Sequence, residues 1–321
     1  NIQEDKKMAI TAAQVKELRD ITGAGMMACK KALAATEGDM DKAVEFLREQ
    51  GLAGAEKKAG RIAAEGVSFA KVSEDMHTGV VVEVNAETDF VAKNAKFQAY
   101  VDQVCDQALT TSATDIDAFL AEKWNLDETR TVAEQLSEEI SIIGENMHIR
   151  RFHKLVENEG LVSAYIHAGG RIGVILQVKS DVVNDAVAEM AKNIAMQIAA
   201  LNPKYTTRAE VDQEYLAHET AILTEAAKNE KPNAPEKVLN GMVQGRLNKE
   251  LKEICLVDQT YVRAEDGKQT VQQYVDSVAK AQGAKISLVT FVRYETGEGL
   301  EKKSEDFAAE VAAQQAAAKK N

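Results

Sequence analysis

Gly79-Val80-Val81-Val82-Glu83-Val84 is a short apolar run opened by glycine, and 94 residues later the chain repeats it as Gly173-Val174-Ile175-Leu176-Gln177-Val178. The match extends backwards without a gap, with Glu65-Gly66-Val67 lying on Glu159-Gly160-Leu161. Runs of this length and β-branched content read as strands, each preceded by the first arm of a hairpin. A helix-period stretch follows in both copies, Phe97, Val101, Cys105 and Ala108 against Met190, Ile194, Ile198 and Leu201, now at an offset of 93. That change predicts one residue lost or gained between strand and helix. Each copy is a hairpin with a packing helix, which buries one sheet face and requires a second layer. The fold class is α+β with a duplicated core.

The first copy leaves its second strand through Glu87-Thr88-Asp89-Phe90-Val91-Ala92-Lys93-Asn94. Thr88 suits an N-cap, and Asp89 suits the positive end of a helix dipole. Phe90 then either folds back on its own helix as a hydrophobic staple or stands outward for a partner. The second copy has Ser180-Asp181-Val182-Val183 at this place, without a ring. A framework requirement would act on both copies, so the difference points to a task for Phe90 beyond folding.

Thr11-Ala12-Ala13-Gln14 has the form of a capping box, followed at helical spacing by Val15, Leu18 and Ile21 and closed by Gly23. A second helix carries Met26, Cys29 and Leu33 on one stripe, and a third carries Met40, Val44 and Leu47 to a stop at Gly51. Residues 9–51 thus form a small three-helix bundle of the ubiquitin-associated type, with 1–8 a leader or disordered and 52–64 a linker helix. Met26 and Met27 are adjacent, so both cannot face one core. Between the copies, helices are expected at 115–124 and 131–143, before Gly144-Glu145-Asn146. The two core subdomains take 65–155 and then 156–207 with 255–300. The segment 208–254 interrupts the second as an antiparallel helical hairpin that turns at 229–235, where two prolines stop a helix. Tyr261-Val262 and 287–294 return to strand character, and 301–321 form an Ala-rich C-terminal helical module.

A chain of 321 residues is long enough for several cores. Its net charge of −12 repels phosphate backbones, which argues against direct nucleic-acid binding. Three scattered cysteines, without a C-x-x-C pair, suggest neither a disulfide framework nor a zinc site, and a reducing cytoplasm fits. No long apolar run predicts a membrane span. There is no phosphate-loop motif and no nucleophile–base pair, so no enzyme, metal or cofactor site is expected. His167 stands at a hairpin tip, as a polar turn residue.

TDFVAKN at 88–94, TGAGMMACKKAL at 22–33 and IGENMHIRR at 143–151 together resemble the translation elongation factor Ts family. The resemblance covers most of the chain from about residue 9. It implies a guanine nucleotide exchange factor for elongation factor Tu, active in translation elongation and protein biosynthesis in the cytoplasm. It also implies that Asp89 and Phe90 intrude between helices of that GTPase near its magnesium site. By the same resemblance Leu18, Met26, Met27, Ile143, His167 and Val262 are partner contacts, and the hairpin at 208–254 mediates homodimerisation. Arg263 replaces the methionine familiar beside Val262 in bacterial members. The alternative from another class is a nucleotide-independent adaptor or chaperone working through Met26 and Met27 of the bundle.

Overall fold

In the computed structural model, residues 10–302 are described. The leader and the C-terminal helical module expected at 301–321 lie almost wholly outside them. Three helices come first, α1 (Ala12–Thr22), α2 (Met26–Ala35) and α3 (Met40–Lys58). Next are β1 (Glu65–Val72), β2 (Thr78–Ala86), α4 (Asp89–Ala92), α5 (Ala95–Thr110) and α6 (Ile116–Ala121). A ribbon β3 (Lys123–Trp124) and β4 (Asp127–Thr131), α7 (Val132–Ile143) and β5 (Met147–Val156) complete the first half. The second half contains β6 (Gly160–His167), β7 (Ile172–Ser180), α8 (Asp185–Leu201), α9 (Gln213–Glu230), α10 (Glu236–Ile254), α11 (Val271–Gln282) and β8 (Ile286–Glu295).

The bundle forms as its caps dictate. The Thr11 hydroxyl accepts from the Gln14 N–H while the Gln14 side chain caps Thr11 in return, and Gly23 closes α1 at φ 69°. Leu18, Cys29, Leu33 and Ala43 are the core. The third helix does not stop at Gly51: α3 continues to Lys58, so the expected linker helix is its second half. Gly51 is buried where α3 crosses α7, and a Cβ there would meet Ser141 Cβ at 3.8 Å. Packing against α7 outweighs the weak helix propensity of glycine.

The core has four layers. Antiparallel sheets of order β1-β2-β5 and β6-β7-β8 stack face to face through Ala70, Val81, Leu155, Val162 and Ile175. The outer faces carry α5, which packs on Val80, Val82 and Val84, and α8, which packs on Val174, Leu176 and Val178. β2 and β7 are central strands covered on both sides, which is why each reads as an apolar run broken by a single polar residue, Glu83 and Gln177. The second layer each hairpin required is the other copy. Their packing is reciprocal: a Cβ on Gly79 would lie 2.3 Å from Val162 Cγ1, and one on Gly173 2.7 Å from the Ser68 carbonyl oxygen. Val162 and Ser68 are themselves equivalent positions of the repeat.

The duplication runs further than the sequence reading took it. Helix α7 and strand β5 recur as α11 and β8, with Thr131 and Thr270 as capping boxes and Gly144 and Gly283 as left-handed C-caps. Helix α11 was not anticipated. Helices α5 and α8 start from N-caps Asn94 and Asn184, an offset of 90, so the expected loss of one residue is corrected to four. Four residues is the length of α4, which has no equivalent in the second copy. The second copy instead holds α9 and α10 between α8 and α11. Two further expectations change. Trp124 lies in the β3–β4 ribbon instead of a helix, and Tyr261-Val262 makes no strand, because only Thr260 and Thr270 bridge there.

Candidate functional site

The chain leaves β2 at Ala86 and turns at Glu87-Thr88. Thr88 is extended, and its hydroxyl accepts from the Val91 N–H at 3.3 Å, which starts α4. Asn94 then caps α5 by accepting from the Lys96 N–H at 2.8 Å. Two caps within seven residues leave room for a single turn. Val91 and Ala92 face the core of the first half, which directs position 90 away from it. The Phe90 ring is 81% exposed, so the staple is excluded.

Asp89 at the N-terminus of the turn pairs with Lys93, 2.7 Å away on the same face. The hydrogen bond from Lys93 holds the Asp89 carboxyl below the usual carboxylate range. Beside the ring opens a cleft of about 490 Å³, lined also by Ile62, Ala64 and Lys302. The turn thus presents an exposed benzyl group with an ionised carboxylate next to it. Among the described residues, no three His, Cys, Asp or Glu side chains gather as a metal site. No helix among them is long and apolar enough to cross a membrane.

The other expected contact residues are distributed unevenly. Ile143 ends α7 and is half-buried against the first core. Its loop, 143–146, is hydrogen-bonded to the Glu87-Thr88 turn, so Ile143 and Phe90 belong to one assembly. Met27 is 76% exposed and Met26 45%, so both methionines stand at the surface and Met26 leaves the stripe that Cys29 and Leu33 keep. Leu18 is fully buried in the bundle and presents a partner no surface. In the second half His167 is exposed on the β6–β7 hairpin, its Nδ1 3.1 Å from the Tyr165 hydroxyl. Val262 is 48% exposed, with its N–H donating to Gln197 Oε1 at 2.8 Å. Arg263 is held on α8 by Asn193 at 2.7 Å.

Glu145 and Gln197, which fix the Phe90 and Val262 segments, were not singled out from the sequence. Glu145 was visible only as a letter in a motif, and Gln197 falls on Gln107 only at the offset of 90 that the caps Asn94 and Asn184 set.

A family model described as Elongation factor TS matches residues 87–298. Elongation factor Ts of Clostridioides difficile (strain 630) is 50% identical over 305 residues, covering 95% of this chain and 98% of that protein. The proteins of the same name from Clostridium perfringens (strain SM101 / Type A) and Clostridium botulinum (strain Eklund 17B / Type B) are 50% and 49% identical, covering 94% and 95% of this chain and 98% and 99% of their own lengths. The chain belongs to the elongation factor Ts family.

Proposed function

We propose that the protein is a guanine nucleotide exchange factor that binds elongation factor Tu in its GDP form and promotes GDP release during translation elongation. Family membership supports the partner and the activity. The observation that carries the mechanism is the Phe90 ring, large, apolar and exposed on a turn capped by Thr88 and followed by the Asn94 cap of α5. Inserted with Asp89 between helices of the GTPase, it displaces groups that hold the magnesium ion, and the nucleotide loses its counter-charge.

The work is thermodynamic linkage. A protein that prefers the nucleotide-free GTPase weakens GDP binding by the same factor. A factor of ~10⁴ requires about 5.5 kcal/mol of differential affinity. Burying one Phe contributes about 1.5–3 kcal/mol. Phe90 therefore acts with a wider interface, for which Met26, Met27, Ile143, His167 and Val262 are the proposed contacts. Leu18 acts within it only as support for α2. Self-association through the α9–α10 hairpin, which exposes Ile222 and Val238, belongs to the same reading.

The test is release of a fluorescent GDP analogue from elongation factor Tu at saturating factor. Phe90→Ala slows release by about tenfold or less while the fold survives. Unchanged release refutes the wedge. Capture of the GTPase that is indifferent to excess GDP would favour an adaptor working through Met26 and Met27.

A further inference from the structure

Helix α4 cannot hold itself. A single turn lies below the cost of helix nucleation, and the bonds that close it, from the Ala92 N–H to Thr88 O and the Lys93 N–H to Asp89 O, are both 3.3 Å long. Its orientation must be set from outside. The residues just before it are gripped by one carboxylate. Glu145 Oε2 accepts from the Glu87 and Thr88 backbone N–H groups, both at 3.0 Å, and Glu145 Oε1 accepts from the Thr88 hydroxyl at 2.7 Å. The Thr88 hydroxyl therefore gives its proton to Glu145 and turns a lone pair to the Val91 N–H, which makes the cap of α4 directional.

The internal repeat separates this grip from the scaffold around it. Glu87 Oε1 accepts from the Asn146 N–H at 2.7 Å, one residue ahead of β5. In the second copy Asp181 Oδ1 accepts from the Lys285 N–H at 2.7 Å, one residue ahead of β8. Asp181 is the repeat equivalent of Glu87, so that tie serves both copies and belongs to the fold. The equivalent of Glu145, counted from Gly144 and Gly283, is Ala284, which has no side chain to grip with. The carboxylate is present only in the copy that carries the extra turn and the ring.

We infer that Glu145 is the positioning residue of the Phe90 wedge. Packing of Val91 and Ala92 turns the ring outward, and Glu145, by fixing the dihedrals of Glu87 and Thr88, sets the angle at which α4 presents it. This rests on the exchange reading given above, and it assigns Glu145 no contact with the partner. Glu145 on the loop after Ile143 also makes the two apolar contacts one rigid unit, so that they reach a partner together.

The experiment combines two readouts on the full chain. Hydrogen exchange of the free protein is followed at the amides of residues 87–93 in Glu145→Ala, with Asp181→Ala as the scaffold control. Release of the GDP analogue from elongation factor Tu is then measured for Glu145→Ala, Phe90→Ala and the double variant. The expected result is faster exchange confined to 87–93, and maximal release slowed by up to about tenfold with half-saturation changed less than about twofold. In the Phe90→Ala background the second substitution adds less than about twofold. Unchanged exchange at 87–93, or additive effects on release, overturns the inference. If Phe90→Ala alone leaves release unchanged while Glu145→Ala loosens 87–93, the exchange reading fails and the positioning stands. Should Glu145→Ala not fold, Glu145→Gln, which keeps the side-chain shape and one carbonyl acceptor, gives the same comparison with smaller effects.

Discussion

Gln107 and Gln197 do the same thing in the two halves of the core. The Gln107 side chain donates to the Lys123 carbonyl at 3.0 Å and accepts from the Asn125 N–H at 2.8 Å. Gln197 donates to the Thr260 carbonyl at 3.0 Å and accepts from the Val262 N–H at 2.8 Å. Both are buried on the packed helix, and each replaces a missing strand partner for the segment it holds. Truncation leaves a part-buried N–H and carbonyl unpaired, at up to about 1–3 kcal/mol. Gln107→Ala and Gln197→Ala should each lose about that much in denaturant unfolding, and Gln197→Ala alone should loosen the segment bearing Val262. A loss below about 0.5 kcal/mol in both would show that water replaces the clamp.

The same equivalence makes α4 an inserted turn. Deleting Asp89–Ala92 restores the spacing of the second copy. The shortened chain should fold cooperatively, losing about 1–3 kcal/mol for the packing of Val91 and Ala92. Its release activity should fall at least as far as that of Phe90→Ala. A chain that unfolds on deletion would make α4 part of the framework.

Glu83 is fully buried at the centre of the first sheet. It takes hydrogen bonds from Asn85 at 3.0 Å, from Arg150 at 3.1 Å, from Arg151 at 2.5 Å and from the Gly297 N–H at 2.8 Å. The last of these pins the chain leaving β8 onto the opposite half. Removing one member of such a buried set leaves its partners uncompensated, so Glu83→Ala should cost about 3 kcal/mol. Denaturant unfolding measures it, and a cost under about 1 kcal/mol would mean that solvent already serves the arginines.

Glu139 gives a pH-dependent expectation. Burial raises its carboxyl above the ordinary value of 4.5, against the hydrogen bond from Gln135. A raised acid keeps its proton more readily in the folded state than in the unfolded. Stability contributed at this site therefore falls as pH rises from 4.5 through the folded value, and the penalty persists above it. Glu139→Gln should be more stable than the parent chain at pH 7, and the advantage should vanish as pH falls below 4.5. Parallel stability curves for the two chains would show that burial at this position carries no penalty.

The hairpins were legible because glycines and apolar strands recur at a fixed offset. The strand-to-helix step was misread for a physical reason. Offsets of 93 and 90 differ by three residues, which on a helix returns to nearly the same face, so apolar periodicity alone cannot tell them apart. The caps Asn94 and Asn184 decide it. The recurrence of α7 and β5 as α11 and β8 was hidden by α9 and α10, which interrupt only the second copy. For the candidate site, the exposed Phe90 was foreseeable from its absence in the second copy. Leu18 was not separable, since a buried leucine and a contact leucine carry the same letter at the same helical spacing.

Helix α3 rises from the bundle as one uninterrupted rod of 19 residues, about 28 Å long, and lies along α7 at Gly51. The protein is thereby built like a caliper. Met27 rides on one jaw and Phe90 on the other, and the jaws are joined where Gly51 of α3 lies on α7 and where Gly23 approaches Ile142. A partner that grips both must fit that gap or open the seam, so a bulky side chain in place of Gly51, where a Cβ would already meet Ser141 Cβ at 3.8 Å, would shift the jaws without touching either tip.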